Sequence, residues 1–581
     1  MTTLFNEQNR IAGKLLYLLT LLLPFTAYTQ INTSSLDNPN DAVTYCAAST
    51  IWNGTSWSNG EPETGKDAIF TADFTFTTGT FNACSVNVIN GAHVNFASDT
   101  NAIIVHNIHV AANAELSFES SANLIQTEGS QNSGSVTIKR NSSEIVKDAF
   151  TLWSSPVSGQ MLQSFSPLTL SNRFYTYSTA NNIYATVTSP ATTAFTTSKS
   201  YLIRTEENHP LTPTVWEGRF TGTPNTGDIT VGLDYVSENQ SYNAIGNPYP
   251  SPLSIQKFFD ANEQAINGTL WLWRKTSDPS KSSYATVTRL GYQSNTATDP
   301  ENSTIQDPYS LHEEGILNTA QGFLVKASSA SQNVVFDNSM RLPLSSDVFF
   351  RTASEADDQP EKSRFWLNVT SEHIFSQVLI GYTNQTTEEF DLGYDGEFIL
   401  DGKTTLYSFA GTKKLAIQAL PEFEDNDIVT LGFKTETAGT FTFALDHKDG
   451  VFAQGQSIYI IDAVSNTVHD ITEAGYTFTS EAGTFDNRFK VVYNESTAGI
   501  ETPVQDKKDV IVFSNNHTVH LQSSEEIASV AIYDLTGRMI FAQDNINNTS
   551  FTSAYINATA PVIVKLAMNN GTIVSKKIVV Q

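Results

Sequence analysis

Residues 86–96, VNVINGAHVNF, align with residues 108–118, IHVAANAELSF, at a constant offset of 22 residues. The aligned apolar pairs are Val88 with Val110, Ala92 with Ala114, Val94 with Leu116, and Phe96 with Phe118. A fixed period of this length, with alternating apolar residues and Asn/Gly corners, is typical of the coils of a parallel β-helix. Each coil buries its inward residues against the next, so a short solenoid needs caps at its ends. We therefore predict a β-helix-like repeat region over residues 30–140.

A weaker third copy extends this repeat, with Val136 and Ile138 placed below Ala114 and Leu116. A meander of plain hairpins is the alternative architecture for the same residues. Composition supports a β-rich chain in either case, because 35 Phe and 21 Tyr against 5 Met fit packing between sheets better than packing in helical bundles.

Beyond the repeat, the chain divides into further β-rich regions. Residues 141–351 form a central domain, residues 352–363 an acidic linker, and residues 364–494 a second large domain whose strand series favours a β-sandwich. One amphipathic helix is predicted over residues 255–265. Residues 275–315 are rich in Ser, Thr, Asp and Asn and predict a long surface loop. The predicted fold class is all-β, with two large β-sandwich-type regions.

After a linker over residues 495–508, residues 509–581 read as a small Ig-like β-sandwich. Short apolar runs alternate there with Asn, Ser and Gly, which is the pattern of strands and turns. A Thr-Gly pair divides two strands after Tyr533. Asn570-Gly571 is a strong hairpin signal, because both residues tolerate positive φ.

This last stretch resembles the type A C-terminal sorting domain of proteins that the type IX secretion system of Bacteroidetes exports. The residues that carry the resemblance are Tyr533, Asp534, Leu535, Gly537, Arg538, Asn570, Gly571, Lys576 and Lys577. The resemblance implies that the secretion machinery is a partner of this domain. It also implies that the tail is cleaved and that the body is released or anchored to surface polysaccharide.

The upstream region resembles large uncharacterised surface proteins that carry the same tail. The motifs concerned are WNGTSWS at residues 52–58, WSSPV at 153–157, GNPYP at 246–250 and GFLVK at 322–326. This second resemblance implies no reaction and supplies no catalytic residue.

The N-terminus has the order of a secretory signal peptide over residues 1–29. Arg10 and Lys14 precede an apolar run, and small residues then lead to a predicted cleavage between Thr29 and Gln30. The apolar run is too short for a stable membrane span, and no later stretch is long enough, so no transmembrane segment is expected in the mature chain. The expected location is the cell exterior or outer surface, after transit of the periplasm.

The net charge of −27 excludes some classes of partner. A nucleic-acid-binding protein neutralises phosphates with Lys and Arg, so nucleic acid is not expected as a partner. An anionic membrane surface is disfavoured for the same reason. The acidic balance is explained more simply as a solubility feature of an extracellular protein.

Cys46 and Cys84 are the two cysteines of the chain. In an exported protein, a pair of this kind indicates a disulfide, with two unpaired buried thiols as the alternative. They do not form a C-x-x-C motif, so the sequence supports neither a zinc site nor redox catalysis.

No catalytic motif of the nucleophile-elbow, zinc-helix or phosphate-loop type occurs. His106 and His109 are three residues apart on a predicted strand, so they should point to opposite faces and not chelate together. Oxygen-rich loops are candidate calcium ligands, although solvated loops explain them better. These loops carry Asp391, Asp395, Asp425, Asp427, Asp446 and Asp449. We assign no catalytic, cofactor-binding or metal residue, and calcium is the one cofactor considered.

Trp271 and Trp273 share one face of a predicted strand, and apolar residues fill the other face. Core packing is therefore favoured over stacking on sugars. The function that fits best is a structural or adhesive surface protein without catalytic activity. The alternatives are a carbohydrate-binding surface protein, which needs Trp52, Trp57, Trp271 or Trp273 exposed to a glycan, and an accessory of a polysaccharide or peptide hydrolase.

Overall fold

The structure is a computed structural model that describes part of the chain. The described residues are 45–129, 131–273, 284–294, 307–310, 312–343, 362–372, 374–399, 402–494, 511–515, 517–534, 537–556, 561–569, 573–578 and 580. Most of them lie in β-strands, which confirms the predicted all-β class. Within these ranges, no helix is long and apolar enough to cross a membrane.

The N-terminal region is a short parallel β-solenoid, as predicted. Each coil gives one strand to each of three sheets, and strands of successive coils pair in parallel. The strands are β1 (Ala48–Trp52), β2 (Lys66–Phe70), β3 (Phe74–Phe76), β4 (Thr80–Ala83), β5 (Val86–Val88), β6 (His93–Phe96), β7 (Asn101–Ile104), β8 (Ile108–Val110), β9 (Glu115–Phe118) and β10 (Asn123–Gln126).

The predicted register of the repeat is confirmed. Val88 pairs with Val110 in adjacent coils, and Phe96 pairs with Phe118. The two phenyl rings lie inside the solenoid, stacked with their centroids 4.7 Å apart. An aromatic pair of this kind contributes about 0.5–1.5 kcal/mol beyond the burial of its area.

Two details of the repeat differ from the prediction. Val136 pairs with Leu116 and not with Ala114, so the third copy is shifted by two residues. A shift of two keeps the inward face inward, because side chains alternate along a strand. A further coil, β2 to β4, precedes the repeat. The sequence comparison misses it because Ala68 lies only 18 residues before its partner Val86, which breaks the constant offset.

The central region continues from the solenoid without a break. Its elements are β11 (Val136–Ile145), β12 (Phe150–Trp153), β13 (Val157–Ser158), α1 (Leu162–Phe165), β14 (Phe174–Ser178), β15 (Ile183–Thr186), β16 (Tyr201–Arg204), β17 (Thr214–Pro224), β18 (Ile229–Gly232), β19 (Tyr242–Gly246), β20 (Leu253–Ser254), α2 (Ile255–Asn262), β21 (Leu270–Trp273), β22 (Tyr284–Val287), β23 (Tyr292–Gln293), β24 (Ile316–Leu317), β25 (Gly322–Lys326) and β26 (Asn333–Phe336).

Strand β11 ends the parallel stacking. It pairs in parallel with β9 on one side and antiparallel with β17 on the other. The predicted amphipathic helix is present as α2, and the hydroxyl of its N-cap, Ser254, accepts a hydrogen bond from the backbone N–H of Lys257 at 3.0 Å. Such a cap stabilises a helix by about 1 kcal/mol.

The prediction of a surface loop over residues 275–315 is wrong for residues 284–294. Strands β22 and β23 there join a five-stranded sheet in the order β19-β25-β21-β22-β23. Leu290, between the two strands, is fully buried. The polar residues that flank the segment hide a short apolar run whose partners are distant in sequence.

The described residues from 362 to 494 form one sheet rolled into a barrel-like shape. Its strands are β27 (Ser363–Ser371), β28 (Ile374–Tyr382), β29 (Gly396–Glu397), β30 (Thr404–Ala410), β31 (Lys413–Leu420), β32 (Ile428–Thr435), β33 (Gly439–Lys448), β34 (Tyr459–Asp462), β35 (Thr467–Asp470), β36 (Tyr476–Ser480) and β37 (Gly483–Val492). Strands from distant parts of the sheet share one core, as in the contact of Phe443 with Phe489 at 4.9 Å between ring centroids.

The described residues of the terminal module form five strands with a core of their own. The strands are β38 (Ile511–Asn515), β39 (Thr518–Tyr533), β40 (Met539–Thr552), β41 (Val562–Met568) and β42 (Ile573–Ile578). They pair in the order β38-β39-β41-β42, and β40 also pairs with β39. Every residue of the core cluster lies between Val512 and Val580.

The barrel-like region packs closely on the central region. Leu290 shares an apolar cluster with Trp366 and Leu379 of the barrel-like sheet. The indole N–H of Trp366 donates to the carbonyl of Tyr292 at 2.6 Å. At Gly268, whose φ is +71°, an added Cβ would lie 2.3 Å from the Cα of Gly393, so only glycine allows the two backbones to approach this closely.

Candidate functional site

Asp534 holds together the turn that carries the motif resembling a sorting domain. Its backbone N–H donates to the carbonyl of Arg538 at 2.9 Å, and its carbonyl accepts from the N–H of Gly537 at 3.0 Å. Its carboxylate accepts from the backbone N–H and from Nε of Arg538, both at 3.0 Å. Gly537 has a φ of +86°, a conformation that glycine adopts without strain. The motif residues in this turn therefore have a structural role in joining β39 to β40.

The remaining motif residues fall into two groups. Lys576 and Lys577 are exposed on β42, opposite Val564 and Ile563 of β41. Tyr533 ends β39 and pairs with Met539 and Ile563. Leu535, Asn570 and Gly571, together with the predicted signal cleavage pair Thr29 and Gln30, lie outside the described residues.

Cys46 and Cys84 are joined in a disulfide, with Cα atoms 6.3 Å apart. The bond fastens the segment before β1 to the corner between β4 and β5. The buried carboxylate of Asp67 secures the same segment, because it accepts from the backbone N–H groups of Tyr45 at 2.9 Å and Cys46 at 3.2 Å. The hydroxyl of Ser85 donates to the other carboxylate oxygen of Asp67 at 2.6 Å.

The four tryptophans considered for sugar stacking are packed against the protein to different degrees. Trp271 is fully buried and donates its indole N–H to the carbonyl of Glu397 at 3.1 Å. Trp273 is half-buried and donates to the carbonyl of Phe150 at 3.0 Å. Trp52 and Trp57 pack on Phe74, with ring centroids 5.1 and 5.8 Å from it, and cap the solenoid.

The aspartates considered as calcium ligands are bound to protein donors in separate places. Asp395 is buried and accepts from the backbone N–H of Ala419 at 2.7 Å and of Asp391 at 2.8 Å. Burial raises its pKa to about 7, against the opposing effect of these two bonds. The carboxylate of Asp449 forms an ion pair with Arg364 at 2.6 Å.

The other four aspartates also have protein partners. Asp391 accepts from Thr387, Asp427 from the backbone N–H of Glu424, Asp446 from Gln377 and His447, and the carbonyl of Asp425 accepts from Asn494. The carboxylates of Asp391, Asp427 and Asp446 thus have protein partners, whereas the bond at Asp425 is made by its backbone carbonyl.

His106 and His109 contact different partners. Nδ1 of His106 lies 3.0 Å from Oε2 of Glu128. Nδ1 of His109 lies 2.8 Å from the hydroxyl of Ser133. His106 occupies the corner before β8 and not the strand itself, so the premise of two opposite strand faces holds only for His109.

A small pocket opens beside β12, β16 and β17. Its lining residues are Ile145, Thr151, Trp153, Ser166, Ile203, Arg204, Thr205 and Trp216. Its cavity volume is about 10 Å³, which is the room that a single water needs. Arg204 is already paired with Asp148. The pocket therefore has room for about one water.

A buried group of charges lies where the central region meets the barrel-like region. Glu397 accepts from Lys326 at 2.5 Å and from Lys413 at 3.1 Å, and the Lys326 side chain is only 5% exposed. Lys413 also reaches the exposed carboxylate of Glu238 at 3.3 Å. The sequence shows only a cation at the end of the GFLVK strand, and its partner lies 71 residues further along the chain.

Two family models together match most of the chain. A family model described as Domain of unknown function (DUF8693) matches residues 45–493. A second model, described as Domain of unknown function (DUF8694), matches residues 498–580, which include the terminal module. No curated protein matches this chain.

Three solved structures show weak similarity to this chain. A polysaccharide lyase aligns at 9% identity and a TM-score of 0.11, over 38% of this chain and 39% of its own length. PorZ, a surface component of the type IX secretion system of Porphyromonas gingivalis, aligns at 9% identity and a TM-score of 0.11, over 70% of this chain and 68% of its own. Tp47, a lipoprotein of Treponema pallidum, aligns at 11% identity and a TM-score of 0.09, over 58% and 91%. Scores this low carry no structural argument.

Proposed function

The chain belongs to the family described as Domain of unknown function (DUF8693), and from that premise we propose that it is a structural or adhesive protein of the bacterial surface, exported by a type IX secretion system that recognises its terminal module. The observation that carries this proposal is the core cluster of that module, whose members among the described residues all lie between Val512 and Val580. A module that folds around its own core can act as an export signal for the domains that precede it.

Two features of the sequence support export. The N-terminus has the order of a signal peptide, and the terminal module resembles a type A sorting domain. Asp534 and Arg538 of that resemblance hold the β39–β40 turn, and Lys576 and Lys577 present two cations at the surface of β42. The turn is thus the structural part of the motif, and the lysine pair and the Arg538 side chain are exposed to a receptor.

The body upstream supports a mechanical role. Its solenoid coils are hydrogen-bonded to one another, and the disulfide fixes their first corner. The central and barrel-like regions share a buried apolar cluster and buried charges. The pocket described above has room for about one water. Such a body is suited to bearing load or presenting a surface.

The glycan-binding alternative has less support. Trp271 is fully buried, and the indole N–H groups of Trp271 and Trp273 are already bonded to backbone carbonyls. Stacking on a sugar requires an exposed ring face, so this strand contributes to the core and not to a platform for glycans. The structural role is the better supported function.

The experiment compares two charge reversals in the terminal module. The variant K576E/K577E changes the exposed lysine pair of β42, and K565E changes a lysine that is also exposed, on the neighbouring strand β41. Each chain is expressed with its own signal peptide in a bacterium that has a type IX secretion system. The amounts in the periplasm, on the cell surface and in the medium are then measured.

We expect K576E/K577E to accumulate in the periplasm and K565E to be exported like the unchanged chain. Circular dichroism of the purified variants verifies that both are folded. Export of K576E/K577E at the normal level would remove the lysine pair from the recognition surface. As a second arm, fusion of residues 495–581 to a reporter that carries a signal peptide tests whether the module is sufficient.

A further inference from the structure

Three residues with metal-ligating or metal-supporting side chains form a column along one corner of the solenoid. Cys84 lies two residues before Val86, and His106 lies two residues before Ile108, which pairs with Val86. Glu128 lies two residues after Gln126, and His106 two residues after Ile104, which pairs with Gln126. Stacking of the coils therefore brings together a cysteine sulfur, an imidazole and a carboxylate that are 22 residues apart in sequence.

Cys46 completes this group from the segment before β1. Its Sγ, the Sγ of Cys84 and a ring nitrogen of His106 all lie within 4.8 Å of one another. Nδ1 of His106 lies 3.0 Å from Glu128, and the Tyr45 ring stacks on the imidazole with centroids 5.7 Å apart. Cys46 is partly exposed, and the His106 side chain is 25% exposed, so solvent reaches the group.

We propose that this corner is a reduction-gated site for a thiophilic divalent cation, zinc being the best match. In the disulfide, the two sulfur atoms are bonded to each other and neither is a thiolate that can bind the metal. A phosphine reductant opens it by attacking one sulfur, after which water supplies the oxygen of the phosphine oxide and the protons of two thiols. Binding of Zn²⁺ then releases those two thiol protons and leaves two thiolates as ligands.

The donor set explains the choice of metal. Zinc binds thiolate sulfur and imidazole nitrogen in a tetrahedral arrangement, and soft thiolates disfavour magnesium and calcium. In the proposed site, Cys46, Cys84 and Nε2 of His106 are the ligands, and a water occupies the fourth position. Glu128 accepts from Nδ1–H and orients the ring, the usual arrangement for a metal-binding histidine.

The test uses the full mature chain, with Co²⁺ and Zn²⁺ as the probes. The chain is reduced with a phosphine, the excess is removed without oxygen, and Co²⁺ is added stepwise. We expect about one equivalent to bind. A thiolate-to-cobalt charge-transfer band and strong visible bands of tetrahedral cobalt should appear, and Zn²⁺ should abolish them. The oxidised chain should give no thiolate band.

The matched control is another histidine of the solenoid. His93 pairs with Asp73 at 3.1 Å and is exposed, but no cysteine is grouped with it. We expect E128Q to weaken Zn²⁺ binding by about 10- to 100-fold and H106A by at least as much. The variant H93A should bind like the unchanged chain.

Three results would overturn the proposal. The first is the absence of a thiolate band in the reduced chain. The second is equal affinity of the H106A variant and the unchanged chain, since the metal would then be held by the thiolates alone. The third is loss of the β circular dichroism on reduction without recovery by Zn²⁺, because the coils must be folded to hold the three ligands together.

Discussion

The carboxylate of Asp534 accepts two hydrogen bonds from Arg538, one from the backbone N–H and one from Nε, each 3.0 Å long. The pair closes the turn between the two longest strands of the terminal module. The Arg538 side chain is 78% exposed, so the ion pair itself contributes little. The bond to the backbone N–H is the one that shapes the turn.

Asp534→Ala is expected to loosen this turn without unfolding the module. A side-chain bond to the backbone contributes about 1 kcal/mol, while the core between Val512 and Val580 is unchanged. Hydrogen exchange should therefore become faster at Gly537 and Arg538. Arg538→Ala is the comparison and should have a smaller effect, because it keeps the backbone bond. Equal acceleration in both variants would mean that the ion pair matters more than we infer.

Phe118→Ala should destabilise the solenoid by about 3–5 kcal/mol, because it removes a buried ring that stacks on Phe96. Phe513→Ala removes the same side chain from a site that is 50% exposed and should cost less than about 1 kcal/mol. Urea denaturation of both variants measures the difference. Similar costs would contradict the stacked-coil core.

Glu397→Gln should destabilise the contact between the central and barrel-like regions by about 3 kcal/mol, since it leaves the buried Lys326 ammonium without its anion. Glu238 binds Lys413 from the solvent side, with its side chain 74% exposed. Glu238→Gln should therefore change stability by no more than about 0.5 kcal/mol. Thermal unfolding of the two variants makes the comparison, and a large effect at Glu238 would argue against the burial of this group.

Asp462 gives a prediction for pH. Burial alone would raise the pKa of this carboxyl, but the bonds from Arg488, at 2.9 and 2.8 Å, and from Val464 outweigh it and hold the pKa below its usual value of 3.8. A lowered pKa in the folded state contributes stability above the unfolded pKa, and this contribution disappears as the pH falls through the folded value.

The stability advantage of the unchanged chain over Asp462→Asn should therefore be constant at neutral pH. Below about pH 4 it should shrink. Urea denaturation from pH 7 to pH 3 measures the advantage. A difference that grows towards acid would mean that the carboxyl pKa is raised in the folded state.

The equal spacing of apolar residues made the solenoid predictable. Phe96 and Phe118 are separated by one full coil, so the sequence comparison aligns residues that stack in space. The first coil was not predicted, because the spacing between the paired residues Ala68 and Val86 is shorter than in the later coils. The buried strands around Leu290 were not predicted. Their partners, such as Trp366, are distant in sequence, and the residues that flank them are polar.

The turn residues of the terminal module were predictable because Asp and Gly act locally there. The group of Cys46, Cys84 and His106 was not predictable from the sequence. Motif searches look for ligands that are a few residues apart. Here the stacking of coils supplies the proximity. Burial of Trp271 was expected from apolar residues on both faces of its strand, whereas the Lys326–Glu397 pair depends on the packing of two regions.

The most direct test of the account is fractionation of cells that produce the full chain or a chain ending at residue 494, both with the native signal peptide. The account predicts that the full chain reaches the surface or the medium. It predicts that the shortened chain, folded and protease-resistant, stays in the periplasm. Normal arrival of the shortened chain outside the cell would contradict the central claim that the terminal module directs export.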